Sequence, residues 1–335
     1  MKAIIPVAGA GKRLRPHTYT QPKSLILVAG QPILSLILDQ LIDAGVTECV
    51  FVLGYLGEKI KTYLDTSYSH IHKTYIYQEN RRGLGDAILC TSEAIKAEDE
   101  VLVLLGDTIV DLDLKHFINQ PGSVLATQQV ADPRQFGVVE VDRDGRVTKV
   151  VEKPSIPITN QAITGLYKFG NTKSLISALA TISERAQDED QEVQLTDAIM
   201  LMIDQGLPFS TYEVSYWYDC GKKDVLLNTN RVLLEKRTTD VGTRYIHNQS
   251  IIIPPVIFGD ACQFTNSIIG PHVTLGDHVQ IEGSVISDSI VGNYVNISGS
   301  ILSKSIIGND AAVRGPAQSL NIGDNTEIDF ADVIS

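Results

Sequence analysis

The segment that decides the fold runs Ile4-Ile5-Pro6-Val7-Ala8-Gly9-Ala10-Gly11-Lys12-Arg13-Leu14-Arg15-Pro16 and continues as Gln21-Pro22-Lys23-Ser24-Leu25. Its apolar beginning predicts a buried parallel strand, which stops at two glycines separated by one residue. Glycine allows a sharp turn that presents backbone N–H groups to an anion. Arg13, Arg15 and Lys23 follow closely, and their side chains suit phosphate oxygens. The segment therefore predicts a strand and a loop that binds a polyphosphate.

Two other phosphate-binding loops are excluded by single residues. The dinucleotide-binding pattern requires a third glycine where Leu14 stands, and the P-loop requires Ser or Thr where Arg13 stands. The alternative is an ordinary turn with solvated basic side chains. Two arginines and a Pro-Lys pair in the same loop favour the functional interpretation.

Strands alternate with helices over the first hundred residues. The expected elements are helices at 32–44, 58–64 and 84–97, and strands at 49–53, 74–77 and 101–105. This alternation predicts an α/β fold, in which a doubly wound, Rossmann-like parallel sheet binds ligands beyond the carboxyl ends of its strands. Further on, two apolar runs flank a turn at 142–145 and predict a β-hairpin.

The character of the sequence changes after a predicted helix at 224–236. Positions repeat every sixteen residues, so that Ile281, Ile297 and Val313 align. Such a period predicts a parallel β-helix whose inward aliphatic side chains stack from coil to coil. We therefore expect two domains, an α/β domain at 1–238 and a β-helix domain at 239–335.

Composition restricts the class of protein. The 335 residues carry a net charge of −12 and no basic tract, which argues against a nucleic-acid partner. No run of roughly 18 apolar residues predicts a membrane span, and the short N-terminal apolar run does not match a signal peptide. Four widely spaced cysteines suit a reducing cytoplasm, and the apolar surroundings of Cys49 and Cys90 predict buried thiols.

The opening segment resembles the signature of sugar-1-phosphate nucleotidyltransferases, Gly-x-Gly-(Thr)-Arg-Leu-x-Pro followed by Pro-Lys. Lys12 stands where that family usually has Thr. The resemblance extends over essentially the whole chain. It is strongest to the long form of glucose-1-phosphate thymidylyltransferase, which implies that the C-terminal β-helix is left-handed.

The resemblance implies a nucleotide site and a sugar site. Arg13 would hold the leaving pyrophosphate, Lys23 the triphosphate and Lys153 the sugar phosphate. Gln78 and the Gly83 backbone would contact the base, and a Gln amide suits the imide edge of uracil or thymine. The other implied nucleotide-binding residues are Ala8, Gly9, Gly11 and Asp107, and the implied sugar-binding residues are Gly137, Glu152, Gly165 and Trp217.

Asp107 and Asp219 are the implied metal ligands. A single Asp after a strand is often only a turn residue, but a pair can bind Mg²⁺ together with phosphate oxygens. Glu192 and Asp197 resemble part of the family's Glu-x-x-x-Thr-Asp helix start. Their contact with substrate is left open. Thr196 or Asp197 would make a good helix N-cap, and that role alone would explain Asp197.

The implied enzyme transfers a nucleotidyl group from a nucleoside triphosphate, dTTP or UTP in preference, to a sugar 1-phosphate, glucose 1-phosphate in preference. Relatives that use glucose 1-phosphate commonly have Asn where Thr108 stands, so a mannose-1-phosphate guanylyltransferase is an alternative. A non-catalytic regulatory subunit and an acyltransferase using His272 or His278 are further alternatives. The β-helix would serve homo-oligomer formation.

Overall fold

The structure, a computed structural model, describes residues 1–188, 191–237, 245–247 and 249–315. The expected domain boundary at 238/239 and the last residues of the expected second domain lie outside these ranges. Within the described part of the chain, every helix is too short or too polar to cross a membrane.

The first part of the chain contains thirteen strands and eight helices among its described residues. The strands are β1 (Lys2–Pro6), β2 (Leu27–Val28), β3 (Gln31–Pro32), β4 (Glu48–Leu53), β5 (His72–Tyr77), β6 (Val101–Leu104), β7 (Thr108–Asp111), β8 (Ser123–Gln129), β9 (Gly137–Val141), β10 (Val147–Glu152), β11 (Gln161–Phe169), β12 (Phe209–Glu213) and β13 (Tyr216–Asp219). The helices are α1 (Ile33–Asp43), α2 (Gly57–Ser67), α3 (Leu84–Leu89), α4 (Ser92–Ile95), α5 (Leu114–Ile118), α6 (Thr172–Asp188), α7 (Leu195–Asp204) and α8 (Lys223–Arg237). Short 3₁₀ turns lie at Lys12–Leu14, His17–Tyr19 and Lys23–Leu25.

A nine-stranded mixed sheet forms the centre of this domain. Its parallel part has the order β6-β1-β4-β5, and β11 joins β6 in the antiparallel direction. The expected hairpin is present as β9 and β10, which add to the sheet through β11. The Rossmann-like α/β fold is confirmed, with an antiparallel extension beyond the predicted parallel strands.

Helices cover both faces of the sheet because the buried strands are apolar on both sides. Ile5 of β1 packs with α1, α2, α5 and α8 on one face. Ile4 of the same strand packs with α3, α4, α6 and α7 on the other face. The side-chain alternation of a strand thus assigns neighbouring residues to two separate cores.

The helix predicted at 84–97 is interrupted. Thr91 Oγ1 donates to the Ile88 carbonyl and Ser92 Oγ donates to the Leu89 carbonyl, so hydroxyl groups compete for backbone acceptors at the break. The chain forms α3 and α4 instead of one helix. Cys90 lies at this break and is exposed, so the prediction of a buried thiol is wrong there, although it is right for Cys49.

The C-terminal part is a left-handed parallel β-helix with three sheets. One sheet contains β14 (Tyr245–His247), β15 (Ser250–Ile252), β18 (Ile268–Ile269), β21 (Val285–Ser287) and β24 (Ile301–Ser303). The second contains β16 (Val256–Phe258), β19 (Val273–Leu275), β22 (Ile290–Val291) and β25 (Ile306–Ile307). The third contains β17 (Gln263–Thr265), β20 (Gln280–Glu282), β23 (Asn296–Ser298) and β26 (Ala312–Arg314).

The register of the third sheet confirms the predicted stack. Ile281 pairs with Ile297, and Ile297 pairs with Val313, at the sixteen-residue spacing. Phe264 pairs with Ile281 in the same sheet and lies seventeen residues before it. The first described coil-to-coil step of this stack is therefore one residue longer than the others. Ile281 and Ile297 are buried with Phe264 in one apolar core.

Asn230 of α8 connects the two domains. Its side chain is buried, and Oδ1 accepts hydrogen bonds from the Ala29 backbone N–H at 2.8 Å and from Thr274 Oγ1 at 2.7 Å. Its Nδ2 donates to the His272 carbonyl at 3.3 Å. Ile290 of the β-helix also packs into the core of the α/β domain. The β-helix therefore packs on the α/β domain.

Replacing Asn230 by Ala should destabilise the protein, since it leaves buried polar partners unsatisfied. We expect the free energy of unfolding to fall by about 2–4 kcal/mol. Urea denaturation followed by circular dichroism measures the change. Asn228→Ala, two residues earlier at an exposed position of α8, is the matched control and should change it by less than about 0.5 kcal/mol. Equal losses in the two variants would contradict this role of Asn230.

Candidate active site

The loop after β1 brings the first cations into place. Gly11 has φ +58°, and a Cβ atom there would lie 2.9 Å from Thr18 Cγ2 and 3.1 Å from Lys23 Cβ. Both the backbone conformation and the lack of space therefore favour glycine. Thr18 Oγ1 donates to the Gly11 carbonyl at 2.9 Å. The turn thus holds the stem of Lys23 against the glycine loop.

Two carboxylates meet the cations at the carboxyl edge of the sheet. Asp107 follows β6, and Asp219 ends β13, where it pairs with Thr108 of β7. The strand pairing therefore places Asp219 beside Asp107, although more than a hundred residues separate them. The structure brings the two predicted metal ligands together.

Lys23 and Arg13 complete this cluster. Lys23 Nζ makes an ion pair with Asp107 Oδ2 and lies 3.7 Å from Asp219 Oδ1. Arg13 Nη2 lies 3.5 Å from Asp219 Oδ2. Burial alone would raise the pKa of Asp107, but the Lys23 ammonium and the Arg13 guanidinium hold that pKa below its usual value. Asp107 is therefore ionised at neutral pH.

Gly221 is a site residue that we did not predict from the sequence. A Cβ atom at this position would lie 2.5 Å from Arg13 Nη2 and 2.9 Å from Asp219 Oδ1. The glycine leaves the space in which the guanidinium lies. Its position two residues after Asp219 was the available signal in the sequence.

The predicted base-binding residues form a second contact group. Gln78 follows β5 and is buried, and its Nε2 donates to the Gly83 carbonyl at 3.2 Å and to Asp86 Oδ2 at 2.7 Å. Gly83 has φ +106°, and a Cβ atom there would lie 2.7 Å from the Val193 carbonyl oxygen. The loop is therefore packed closely against the backbone before α7. Sequence reasoning missed Asp86, which orients the Gln78 amide.

Both groups line one cavity of about 500 Å³. This volume falls in the range of small-molecule sites. The predicted residues that line it are Ala8, Gly9, Gly11, Arg13, Lys23, Gln78, Gly83 and Asp107. Gly221 and Glu192 also line it, so the residue whose role was left open faces the same cavity. The cations and carboxylates and the base-binding residues are therefore parts of one site.

The predicted sugar-binding residues lie mainly around the β9–β10 hairpin. Gly137 pairs with Glu152 across the hairpin, and Lys153 Nζ lies 3.1 Å from Glu152 Oε1. Thr196 Oγ1 donates to Glu152 Oε2 at 3.2 Å. The expectation that Thr196 or Asp197 caps the helix is wrong, because α7 begins at Leu195, with Gln194 before it. Thr196 instead orients a predicted sugar-binding carboxylate.

Gly165 and Trp217 connect this group with the cavity. A Cβ atom at Gly165 would lie 2.7 Å from Leu105 Cδ1 and 3.2 Å from Thr108 Oγ1, beside Asp107. Leu105 itself lines the cavity. The Trp217 ring packs edge-on against Phe136, with ring centroids 4.5 Å apart, next to Gly137. Gly165 therefore adjoins the carboxylate end of the cavity, whereas none of the four predicted sugar-binding residues lines the cavity itself.

The carboxylate pair can contribute only part of a metal's coordination sphere. Among the described residues, no group of three or more His, Cys, Asp or Glu side chains is arranged to hold a metal ion. Mg²⁺ is commonly bound by one or two carboxylates, with phosphate oxygens and water as the other ligands. Two carboxylates beside a cavity suited to phosphates fit this ion.

Comparisons with known proteins agree with this geometry. Residues 2–236 match the family model described as Nucleotidyl transferase. The chain is 35% identical to the low-salt glycan biosynthesis nucleotidyltransferase Agl11 of Haloferax volcanii over 71% of this chain and 67% of that protein. It is 31% identical to a glucose-1-phosphate thymidylyltransferase of Streptomyces antibioticus, over 87% and 81% of the two chains.

A solved structure shows the same relationship. The crystal structure of a Bacillus anthracis protein described as a glucose-1-phosphate thymidylyltransferase superposes with a TM-score of 0.61 at 26% identity, and the match covers 72% of this chain and 98% of that one. The match of the family model covers more than half of the chain. The protein therefore belongs to the nucleotidyl transferase family and shares its α/β catalytic domain.

Proposed function

We propose that this protein transfers a nucleotidyl group from dTTP or UTP to glucose 1-phosphate and releases pyrophosphate. One observation carries the proposal: a single cavity is lined by Arg13, Lys23 and Asp107 in one part and by Gln78 in another. Asp219 does not line this cavity but contacts both cations. A nucleoside triphosphate needs cations for its phosphates and an amide for its base. The similarity to thymidylyltransferases supports the choice of substrates.

In this reaction, a phosphate oxygen of the sugar 1-phosphate attacks the α-phosphorus of the triphosphate. A new O–P bond forms, and the bond to the β-phosphate oxygen breaks as pyrophosphate leaves on the opposite side. The attacking oxygen is already an anion, so no catalytic base is required. The protein aligns two anions and neutralises charge: Arg13 holds the leaving pyrophosphate, Lys23 the triphosphate and Lys153 the sugar phosphate.

Asp107 and Asp219 would hold Mg²⁺, which supplies positive charge to the phosphate oxygens when it is bound. The donor set fits, since both carboxylates contact the same Lys23 ammonium and so can reach a shared ligand. The lowered pKa of Asp107 keeps this ligand in the ionised form that a metal requires.

The orientation of Gln78 supports a pyrimidine imide as the base. Because Asp86 and the Gly83 carbonyl accept hydrogen bonds from Nε2, the Gln78 Oε1 atom is left to accept one from the base. Thymine and uracil present an N–H donor on the imide edge, whereas adenine and cytosine present an acceptor at the corresponding ring nitrogen. Guanine also presents a donor, so a guanylyltransferase acting on mannose 1-phosphate is the second candidate.

Assays of pyrophosphate release test the substrates directly. With glucose 1-phosphate, we expect dTTP and UTP to react and ATP and CTP to react roughly five- to 150-fold more slowly, since a mismatched donor–acceptor pair costs about 1–3 kcal/mol. Mannose 1-phosphate with GTP is the competing pair. Release of pyrophosphate from that pair alone would overturn the proposed substrates, and no release from any pair would overturn the proposed activity.

Arg13→Ala should reduce turnover far more than it weakens binding of the sugar phosphate. A charge-assisted phosphate contact is worth about 1.5–3 kcal/mol, so kcat should fall by roughly ten- to a hundredfold. Steady-state kinetics with both substrates varied measures this change. Arg231→Ala removes an exposed arginine of α8 and serves as the control. Unchanged turnover in Arg13→Ala would remove the opening loop from the mechanism.

We also propose that the enzyme works in a reducing cytoplasm. The cysteines of the described residues are free thiols. Burial raises the pKa of Cys49 and of Cys220 to about 12, so both thiols stay protonated and unreactive.

Self-association through the β-helix is a further part of the proposal. The sheet that contains β15, β18, β21 and β24 presents an aliphatic ladder in register, formed by Ile251, Ile268, Val285 and Ile301. Their exposed fractions are 40%, 36%, 37% and 83%. The second sheet faces the catalytic domain, and the third presents polar residues such as Gln280 and Glu282.

A second copy of the chain is the partner that this ladder fits. Each copy has a net charge of −12, so two copies repel each other over most of their surfaces. This repulsion is weakest where the facing side chains are uncharged, as they are along the ladder. A repeating ladder is also self-complementary when two copies meet about a two-fold axis.

Val285→Lys should therefore dissociate the assembly, because it would bury an unpaired charge between copies. Size-exclusion chromatography with light scattering measures the mass per particle. Gln280→Lys on the polar sheet introduces the same side chain and should leave the mass unchanged. A monomeric wild-type protein, or a Val285→Lys variant with the wild-type mass, would contradict self-association through this face.

A further inference from the structure

Lys23 lies between the two carboxylates that are proposed to hold the metal. Its Nζ atom contacts Asp107 and Asp219, and its side chain is only 10% exposed. The carboxylates retain exposed fractions of 36% and 24%. Arg13 contacts the second oxygen of Asp219. In this arrangement, the formal charges of the two cations and the two carboxylates cancel.

A divalent metal bridging Asp107 and Asp219 would compete with this ammonium group for the same oxygens. Metal ligation requires oxygen lone pairs, and Lys23 engages one oxygen of each carboxylate. A metal that binds these same two oxygens therefore displaces the lysine from them. A metal entering alone would also give the cluster two uncompensated positive charges in a partly buried place.

We propose that Lys23 acts as a substitute cation in the nucleotide-free enzyme, so that the divalent metal binds together with the triphosphate and not before it. The proposal rests on the proposed function, and it assigns Lys23 a role in setting the order of binding. When a triphosphate enters, its oxygens attract the ammonium group and leave the carboxylates for the metal. Lysine suits this exchange because its charge is carried on a flexible four-carbon stem.

Two other features of the site support the exchange. The described residues provide no third acidic, cysteine or histidine ligand for a metal, so phosphate oxygens or water must complete its coordination. Gly221 leaves the space that allows Arg13 to lie over Asp219, which strengthens the neutral cluster of the empty site. Both features make the site a poor receptor for a free metal ion.

Binding of Mn²⁺ to the nucleotide-free protein tests the proposal without reference to catalysis. Electron paramagnetic resonance follows the loss of the free Mn²⁺ signal as protein is added. Lys23→Met removes the charge, and we expect roughly tenfold tighter Mn²⁺ binding than in the wild type. Lys23→Gln is a second variant that should bind Mn²⁺ more tightly in the same way. Lys12→Met removes a lysine that lines the same cavity and should bind Mn²⁺ like the wild type.

The double variant Lys23→Met/Asp107→Asn identifies the site of the added binding. It should lose the gain in affinity, because one of the two carboxylates is gone. Equal Mn²⁺ affinity of the wild type, Lys23→Met and Lys23→Gln would overturn the proposal, and so would a gain that survives Asp107→Asn. Pyrophosphate release is measured in a separate assay. A protein that is inactive on every substrate pair can still show tighter Mn²⁺ binding in Lys23→Met, so failure of this proposal and failure of the proposed function are distinguishable.

Discussion

The mutual neutralisation of two carboxylates and two cations is the constraint on which the site depends. Asp107 and Asp219 are held side by side by the pairing of β7 with β13. Two partly buried carboxylates in contact with one ammonium group would repel each other strongly without Lys23 and Arg13. The ion pairs therefore make the carboxyl edge of the sheet stable before any phosphate arrives, and the same cations suit the phosphates that follow.

Glycines provide the room for the groups of the site, and neighbouring polar side chains orient them. Gly11 and Gly221 leave the space occupied by the Lys23 stem and the Arg13 guanidinium. Asp86 and Thr196 orient Gln78 and Glu152 by single hydrogen bonds. The site thus consists of charged or amide groups that are proposed to contact the substrates and of neighbouring residues that restrict how those groups point.

The β-helix uses the three outward faces of one repeat for different purposes. Every coil directs aliphatic side chains inward to the same core, so the outward positions are free to differ between sheets. One face packs on the catalytic domain through Ile290 and the Asn230 hydrogen bonds, one is polar, and one presents the aliphatic ladder. The face on the catalytic domain also borders the segment after Lys23, since Leu25, Ile26 and Ile290 share a core.

Features that depend on neighbouring residues or on a fixed period could be predicted from the amino-acid sequence alone. The buried strand before Gly9, the β9–β10 hairpin and the stack of Ile281, Ile297 and Val313 follow from local composition and spacing. Only the tertiary structure decided that Lys23 lies between Asp107 and Asp219, that Asp86 turns the Gln78 amide, and that Thr196 contacts Glu152 instead of capping α7. These contacts form where strand pairing or loop packing brings together residues that are distant in the chain, or where a turn brings nearby residues together. Neither residue type nor sequence spacing specifies which side chains meet at such places.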